Sequence, residues 1–366
     1  MKKNYKINVL GIIIVGLFII LPLVGASVEK VVAAEQKVFN WKLANHVPST
    51  SKGMAVQDRW WAQELGRRSN GRITVKVYYG DELCGPYELL SAVKSRLADA
   101  VNFTPGYTPG VCPMFNAGYL PFLGAVREDH QILVQNRLAK ESKPYIDEME
   151  KLNTVWGGSY SAPCYNLMGK KPVRTVNDLK GLRIRGLAGV NEIIKEFGAV
   201  PVAISTTEIF SALQTGIVDV VAHSVSSFRS YRVDELSKYL TIDMDMAAQP
   251  APILINKNAW NELPDDLKKV VQSVIDDCPA FMWDLYHEPS FVDEMKSVIK
   301  KQGIETIHFP KSERAKLEVK AEAVWEDWAK RSGNYEAAKQ ALADYIRIRD
   351  EVNAKYPEGV PGIKYR

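Results

Sequence analysis

The residues of this 366-residue chain that could do chemistry are one arginine and two histidines at the ends of predicted strands. Arg185 closes one apolar strand, His223 closes another, and His46 follows a third. Ligands of open α/β sheets bind beyond the carboxyl ends of the strands, so we expect these side chains beside a cleft. A guanidinium there can donate two parallel hydrogen bonds to a carboxylate. Arg183 lies on the same strand face, so the pattern leaves three alternatives: Arg185 as anchor, Arg183 as anchor, or surface arginines.

The stretch 175–223 predicts the elements that position these groups. Its apolar residues change repeatedly from strand to helix spacing. Ser205 and Glu208 have the spacing of a capping box, and Gly216 predicts the end of the helix that this box opens. Helices that alternate with apolar strands indicate an α/β layer with parallel strands. The predicted strands are 182–185, 200–204 and 217–222, and the predicted helices are 190–197 and the one opened at Ser205.

The first part of the chain shows the same alternation. Strands are predicted at 38–44, 73–79 and 100–103, with helices between them. Asn45 and His46 follow the first of these strands. The Pro- and Gly-rich loop 104–121 is too apolar for a solvated linker. We expect Tyr107 to face the cleft, and Phe115 and Tyr119 to pack in the core.

The segments DLKGLRIR (178–185) and FGAVPVAISTTEIFSALQTGIVD (197–219) resemble the signature of the solute-binding proteins of tripartite ATP-independent periplasmic (TRAP) transporters. A weaker resemblance extends over nearly all of the chain after residue 34. It implies a two-lobed α/β periplasmic binding protein fold, with a ligand cleft between the lobes and a long helix spanning both. It also implies that the arginine ending the DLKG strand binds the substrate carboxylate, which selects Arg185 over Arg183.

Departures from the family pattern bear on the ligand. Where many members carry a second arginine, this chain has Tyr165, and where many carry asparagine it has His223. Thr206 stands where some members carry a bulky aromatic residue. One positive group fewer argues against small dicarboxylates and favours a monocarboxylate, such as a hydroxy-, oxo- or aromatic acid. His223 would make affinity depend on pH near 6–7 if it contacted the ligand.

Phe228 is a further candidate for ligand contact, and for it and Tyr231 the alternative is a place in the core. The predicted ligand-binding set is therefore Arg185, Tyr165, His223, Asn45, His46, Tyr107, Thr206 and Phe228.

The first 34 residues have the features of a cleaved secretory signal, with three early lysines followed by a short apolar core at 10–24. An uncleaved membrane anchor is the alternative. Export favours a periplasmic location. We predict lobe I at 35–162 plus 251–288, and lobe II at 163–250 plus 289–366. The net charge is +4, of which +3 lies in the signal, and the rest shows no basic stripe that indicates a nucleic-acid partner.

Enzyme motifs are missing from the sequence: it has no G-x-S-x-G, Walker, Rossmann glycine or HExxH pattern. No cofactor or metal is expected, because the spacings of the four cysteines fit no zinc motif. Those cysteines could form disulfides after export or stay as buried thiols. The predicted function is capture of an organic acid for integral-membrane TRAP permease subunits, without catalysis. The alternatives are a sensor-coupled receptor of the same fold, or a lyase-type enzyme using His46 and His223.

Overall fold

A computed structural model describes residues 37–124 and 127–360, in which strands and helices alternate along much of the chain. The predicted signal segment lies outside the described residues. Within them, no helix is long and apolar enough to cross a membrane. The strands are β1 Phe39–Asn45, β2 Ile73–Tyr78, β3 Ala100–Asn102, β4 Thr154–Ala162, β5 Asn166–Gly169, β6 Arg183–Arg185, β7 Val200–Val202, β8 Val220–His223, β9 Tyr239–Ile242, β10 Gln249–Asn256 and β11 Glu305–His308. The helices are α1 Met54–Arg68, α2 Leu89–Lys94, α3 Glu128–Glu141, α4 Lys143–Lys151, α5 Ala188–Lys195, α6 Ile209–Thr215, α7 Val225–Ser230, α8 Lys257–Asn261, α9 Asp265–His287, α10 Pro289–Gln302, α11 Lys311–Arg331 and α12 Tyr335–Lys355.

The first sheet has the strand order β2-β1-β3-β10-β4. Strands β1, β2 and β3 are parallel, and β10 runs antiparallel to both β3 and β4. Phe39, Trp41 and Leu43 alternate along β1 and are buried in the core beneath it. Because β1 and β3 are parallel neighbours, their carboxyl ends meet: Asn45 is the register partner of Asn102.

The second sheet has the order β11-β9-β5-β8-β6-β7. Strands β6, β7 and β8 are parallel, as predicted, whereas β5 runs antiparallel to β8. Its register pairs Asn166, at the start of β5, with His223, at the end of β8. Arg185 at the end of β6 pairs with Val221, so Arg185 and His223 end neighbouring strands at one edge. The mixed α/β class predicted from sequence is confirmed.

The chain passes between the two sheets at 163–165 and again at 243–248. These two crossings are hydrogen-bonded to each other, because Tyr165 N donates to Ala247 O at 2.9 Å and Met246 N donates to Tyr165 O at 3.0 Å. Two adjacent connecting segments of this kind can act as a hinge, because small φ/ψ changes in them rotate one sheet relative to the other. Tyr165 therefore lies both in the crossing and beside the end of β8.

The C-terminal helices differ in part from the prediction. Helix α9 runs through Pro279 without ending and stops before Pro289. The region 312–353, whose apolar pattern predicts amphipathic helix, forms two helices separated at Gly333, whose φ is +78°. Helix α12 packs on the first core, with Tyr345 and Ile348 fully buried there. Its apolar face contacts α3 and α4, whereas the assignment of 289–366 to lobe II stays a prediction.

Candidate functional site

Arg185 is fully buried and has no carboxylate partner among the described residues. Its Nη2 donates to Tyr107 Oη at 3.0 Å and to Ile204 O at 3.2 Å, and Nε lies 3.4 Å from the same carbonyl. Its Nη1 has no hydrogen-bond partner within residues 37–124 and 127–360. Arg183 is different: its side chain is 46% exposed and forms a bidentate ion pair with Asp219. Burial thus distinguishes Arg185 from Arg183, which the alternating strand pattern alone could not do.

Local sequence fixes the carbonyl that holds Arg185. Ile204 ends the segment after β7, and Ser205 and Glu208 form the predicted capping box directly behind it. Gly216 ends α6 in the left-handed conformation, with φ +78°. Gly186 follows Arg185, and a Cβ there would lie 2.5 Å from Asn191 Oδ1, so the chain turns closely at this point.

Tyr107 joins the two halves of the molecule at this arginine. It lies in a 3-10 turn, Pro105–Tyr107, after β3 of the first sheet. Its hydroxyl oxygen accepts hydrogen bonds from Arg185 Nη2 and, at 3.1 Å, from Thr206 N, both of which belong to the second sheet's lobe. The hydroxyl therefore forms contacts that depend on the two lobes being together.

Aromatic rings surround the guanidinium in two groups. From the first lobe, the His46 ring meets the edge of Tyr107 at a centroid distance of 5.2 Å. From the second lobe, His223 lies 5.1 Å from the Tyr165 ring and 5.2 Å from Tyr231. Below, the Arg185 cluster means Arg185, Tyr107, His46, Tyr165, His223 and Tyr231.

The Arg185 cluster carries one positive charge at neutral pH, on the Arg185 guanidinium. Burial, and then the nearby Arg185 guanidinium, lowers the pKa of His46 to about 3. The same two causes lower the pKa of His223 well below its usual value. Burial raises the pKa of the Tyr165 and Tyr231 hydroxyls, so both are neutral. At neutral pH the two imidazoles therefore add no charge to that of the arginine.

Four buried polar atoms of the cluster have no hydrogen-bond partner among the described residues: Arg185 Nη1, His46 Nδ1, His223 Nε2 and Tyr165 Oη. Buried polar groups in folded proteins are almost always paired, so four such atoms in one cluster need an explanation. Nη1 can only donate, and so can His223 Nε2, because Nδ1 of that neutral ring accepts from Ser224 N at 2.9 Å. His46 Nδ1 and the phenol can donate or accept. Together they suit a ligand with one carboxylate and further hydroxyl or carbonyl groups.

The other predicted site residues have different surroundings. Asn45 is committed elsewhere, because its Nδ2 donates to Asp58 and its Oδ1 accepts from Val47 N at 2.8 Å. Phe228 is fully buried in an apolar cluster of the second lobe, which is its core alternative. Thr206 joins the cluster through its backbone N–H. That these residues contact a ligand stays a prediction.

Sequence reasoning missed Tyr119 and left Tyr231 undecided. Tyr119, expected only to pack, is fully buried beside Tyr165, Tyr107 and Arg185, and the charge of Arg185 opposes the rise that burial causes in its pKa. The sequence does not indicate that Tyr119 lies beside the cluster. Phe115, from the same aromatic-containing loop, is instead buried in the first core.

No metal centre is indicated within residues 37–124 and 127–360, where no group of three or more His, Cys, Asp or Glu residues could hold an ion. No disulfide joins the four cysteines within residues 37–124 and 127–360: Cys84 is half-buried, and Cys112, Cys164 and Cys278 are buried. The sequence left disulfides and buried thiols as alternatives, and the structure shows thiols.

Two sheets joined by paired crossings, with a buried guanidinium contacted from both, define a periplasmic-type solute-binding receptor. The chain belongs to the family described as bacterial extracellular solute-binding protein, family 7, whose profile matches residues 44–331. It is 24% identical over 307 residues to the C4-dicarboxylate-binding periplasmic protein of Rhodobacter capsulatus, covering 81% of this chain and 89% of that one. The resemblance to TRAP receptors inferred from the motifs is confirmed.

Solved structures support the same conclusion. A TRAP periplasmic solute-binding protein from Desulfovibrio salexigens is 27% identical, with a TM-score of 0.71 over 86% of this chain and 96% of that one. A marine metagenome TRAP protein, specific for aromatic acids and crystallised with 3-hydroxybenzoate, has a TM-score of 0.77 at 19% identity over 87% and 99% of the two chains. At that identity the second similarity shows the fold alone.

Proposed function

We propose that this protein is a periplasmic receptor that captures a small organic monoanion and delivers it to the membrane permease of a TRAP transporter. The observation that carries the proposal is the fully buried Arg185, whose Nη1 is unpaired and which has no counter-charge among the described residues. A buried cation without a partner is costly, and a ligand carboxylate would compensate it.

The charge of the Arg185 cluster selects for one carboxylate. His46 and His223 are neutral, because burial and Arg185 lower the pKa of both. A second carboxylate would enter a buried space that offers it only neutral donors, at a cost of several kcal/mol. Tyr165 occupies the position where many family members carry a second arginine, so this chain has no second cation there.

The rest of the ligand would meet rings and neutral hydrogen-bonding groups. Tyr107, Tyr165 and Tyr231 supply aromatic surface, while Tyr165 Oη and His223 Nε2 are unpaired. Aromatic walls favour flat or apolar tails, and unpaired polar atoms reject tails that cannot hydrogen-bond. A hydroxylated aromatic acid or a hydroxy- or oxo-acid fits both requirements.

Ligand capture would be coupled to lobe closure. For this proposal we take lobe I as the described residues of 37–162 and 251–288 together with α12, and lobe II as 163–250 with α10, β11 and α11. Bending at the paired crossings 163–165 and 243–248 would separate Tyr107 from Arg185 and Thr206 and so expose the guanidinium to water. Closure would then desolvate the arginine and the carboxylate together.

A matched set of acids tests the proposal by calorimetry on the exported protein. We expect 3-hydroxybenzoate to bind more tightly than benzoate, because only the former offers a hydroxyl to Tyr165 or His223. Isophthalate, which replaces that hydroxyl with a second carboxylate, should bind at least about a hundredfold more weakly. Equal or tighter binding of isophthalate or succinate would contradict the monoanion assignment.

Delivery and absence of catalysis need separate measurements. The bound acid should be recovered unchanged after long incubation, as judged by NMR of the released ligand. Vesicles that contain the cognate permease should take up the acid only when this protein is present. Chemical turnover would favour the lyase alternative, and capture by a sensor subunit without transport would favour the receptor alternative.

A further inference from the structure

We propose that Asp58 is a positioning residue of the ligand site, which holds His46 and Thr104 in place by tying together the ends of β1 and β3. The inference rests on the proposed function, because the site that it positions is the Arg185 cluster. Asp58 lies in α1 and is fully buried. Neither the sequence motifs nor the cluster itself includes it.

The carboxylate bridges two strand ends. Its Oδ2 accepts a hydrogen bond from Asn45 Nδ2, and its Oδ1 accepts one from Asn102 Nδ2 at 2.7 Å. Asn45 and Asn102 are the last residues of β1 and β3 and are register partners. The bridge therefore joins the carboxyl ends of the two parallel strands, directly before the chain reaches His46 and Thr104.

Both strand ends lead directly to residues beside Arg185. Asn45 Oδ1 accepts from Val47 N at 2.8 Å, so the backbone on both sides of His46 is fixed by one amide. Two residues after Asn102, the Thr104 hydroxyl lies 3.3 Å from His46 Nε2. His46 thereby presents its unpaired Nδ1 with a defined ring orientation, against the edge of Tyr107.

The bridge needs an ionised carboxylate. Both oxygens face N–H donors, and a protonated carboxyl group would direct an O–H at one of them. Burial raises the pKa of Asp58 to about 7, although the two amides and Arg59 oppose the rise. The other titratable groups that respond to its charge are Tyr79 and Cys278. Protonation within the neutral range would therefore release one strand end.

A pH series with variants tests this directly. If only the ionised form positions His46, the competent fraction falls from about nine-tenths at pH 8 to about one-tenth at pH 6, so affinity for 3-hydroxybenzoate should fall roughly tenfold. Asp58→Asn should bind at least about tenfold more weakly than the wild type does at pH 8, and its affinity should not change between pH 8 and pH 6. Asn102→Ala, which keeps the carboxylate and removes one donor, should also weaken binding.

Glu64→Gln is the matched control on the same helix. Glu64 is also buried, but it pairs with Arg67 and Arg68, and no hydrogen bond joins it to the strand ends in the part of the chain that the structure describes. This variant should keep both the wild-type affinity and its pH dependence, even if its melting temperature falls. Glu128 and Glu148, whose pKa values burial also raises to about 7, are unchanged in Asp58→Asn, so any pH dependence that this variant keeps would come from them and not from Asp58.

A measurement without ligand separates this inference from the proposed function. Since the pKa of His46 is about 3, its ring does not titrate near neutrality. In ligand-free protein its NMR signals, assigned with His46→Asn, should nevertheless shift with an inflection near pH 7 that Asp58→Asn abolishes. No inflection, or wild-type affinity in Asp58→Asn, would overturn the positioning role; failure of every monocarboxylate to bind would overturn the proposed function alone.

Discussion

Replacing Arg185 with methionine removes the charge of the site while keeping much of the side-chain volume. The wild-type guanidinium has five N–H groups, of which those on Nε and Nη2 are directed to Ile204 O and Tyr107 Oη. The two hydrogens of Nη1 remain for a ligand. Each hydrogen bond between charged groups contributes about 1.5–3 kcal/mol, so the variant should lose about 3–6 kcal/mol of binding free energy. This corresponds to a loss of affinity of roughly 150-fold or more.

The same substitution should leave the ligand-free protein intact. Arg185 has no carboxylate partner among the described residues, so its removal breaks no ion pair and, in the closed form, relieves a desolvation cost. We expect the free energy of unfolding of Arg185→Met without ligand to equal or exceed that of the wild type. The loss of a donor to Ile204 O offsets part of the gain, at about 1 kcal/mol.

Calorimetry and thermal melts with 3-hydroxybenzoate measure both effects. Ligand at a hundred times its Kd should stabilise the wild type by about 2.7 kcal/mol and leave Arg185→Met unchanged. Arg183→Met is the matched control, because Arg183 lies two residues earlier on the same strand but pairs with Asp219 at the surface. Micromolar binding by Arg185→Met, or an equal loss in Arg183→Met, would refute the assignment of the anchor.

Two further predictions concern closure and acid stability. Tyr107→Phe removes the hydroxyl oxygen that accepts hydrogen bonds from Arg185 Nη2 and Thr206 N. It should therefore weaken binding about ten- to a hundredfold, mainly through faster dissociation, which stopped-flow experiments measure as the rate of ligand release. Tyr87→Phe is its control, because that partly exposed ring only borders Tyr107, and equal effects in both variants would argue against the bridge. Acid should destabilise the wild type relative to His46→Asn. The pKa of His46 is about 3 when folded, so below its ordinary value of about 6.5 only the unfolded chain gains the proton. Between pH 6.5 and 5 the wild type should lose about 2 kcal/mol of unfolding free energy relative to His46→Asn, as measured by urea titration without ligand. If the difference between the two proteins stayed constant, His46 would be charged in the folded protein.

Much of the fold could be predicted from local sequence. Helix and strand spacing, the Ser205–Glu208 box and Gly216 specify the β6–β8 region because each signal acts within a few residues. The break of the C-terminal helix at Gly333 was not predicted, since the apolar pattern continues on both sides of it. The docking of α12 on the first core was also missed, because an amphipathic helix does not encode which apolar surface it covers.

The sequence by itself determined the family, the fold class and the strand ends that carry Arg185, His46 and His223, because these depend on short-range pattern and motif. Only the tertiary structure decided which arginine is buried, and that the imidazoles are neutral, since burial and distance to a charge arise from packing between segments far apart in the chain. The same holds for Asn45, which the sequence placed at the ligand and the structure commits to Asp58. Hydrogen-bond partners 13 residues apart in sequence, or 78 apart as in Arg185 and Tyr107, become neighbours only once both lobes have formed.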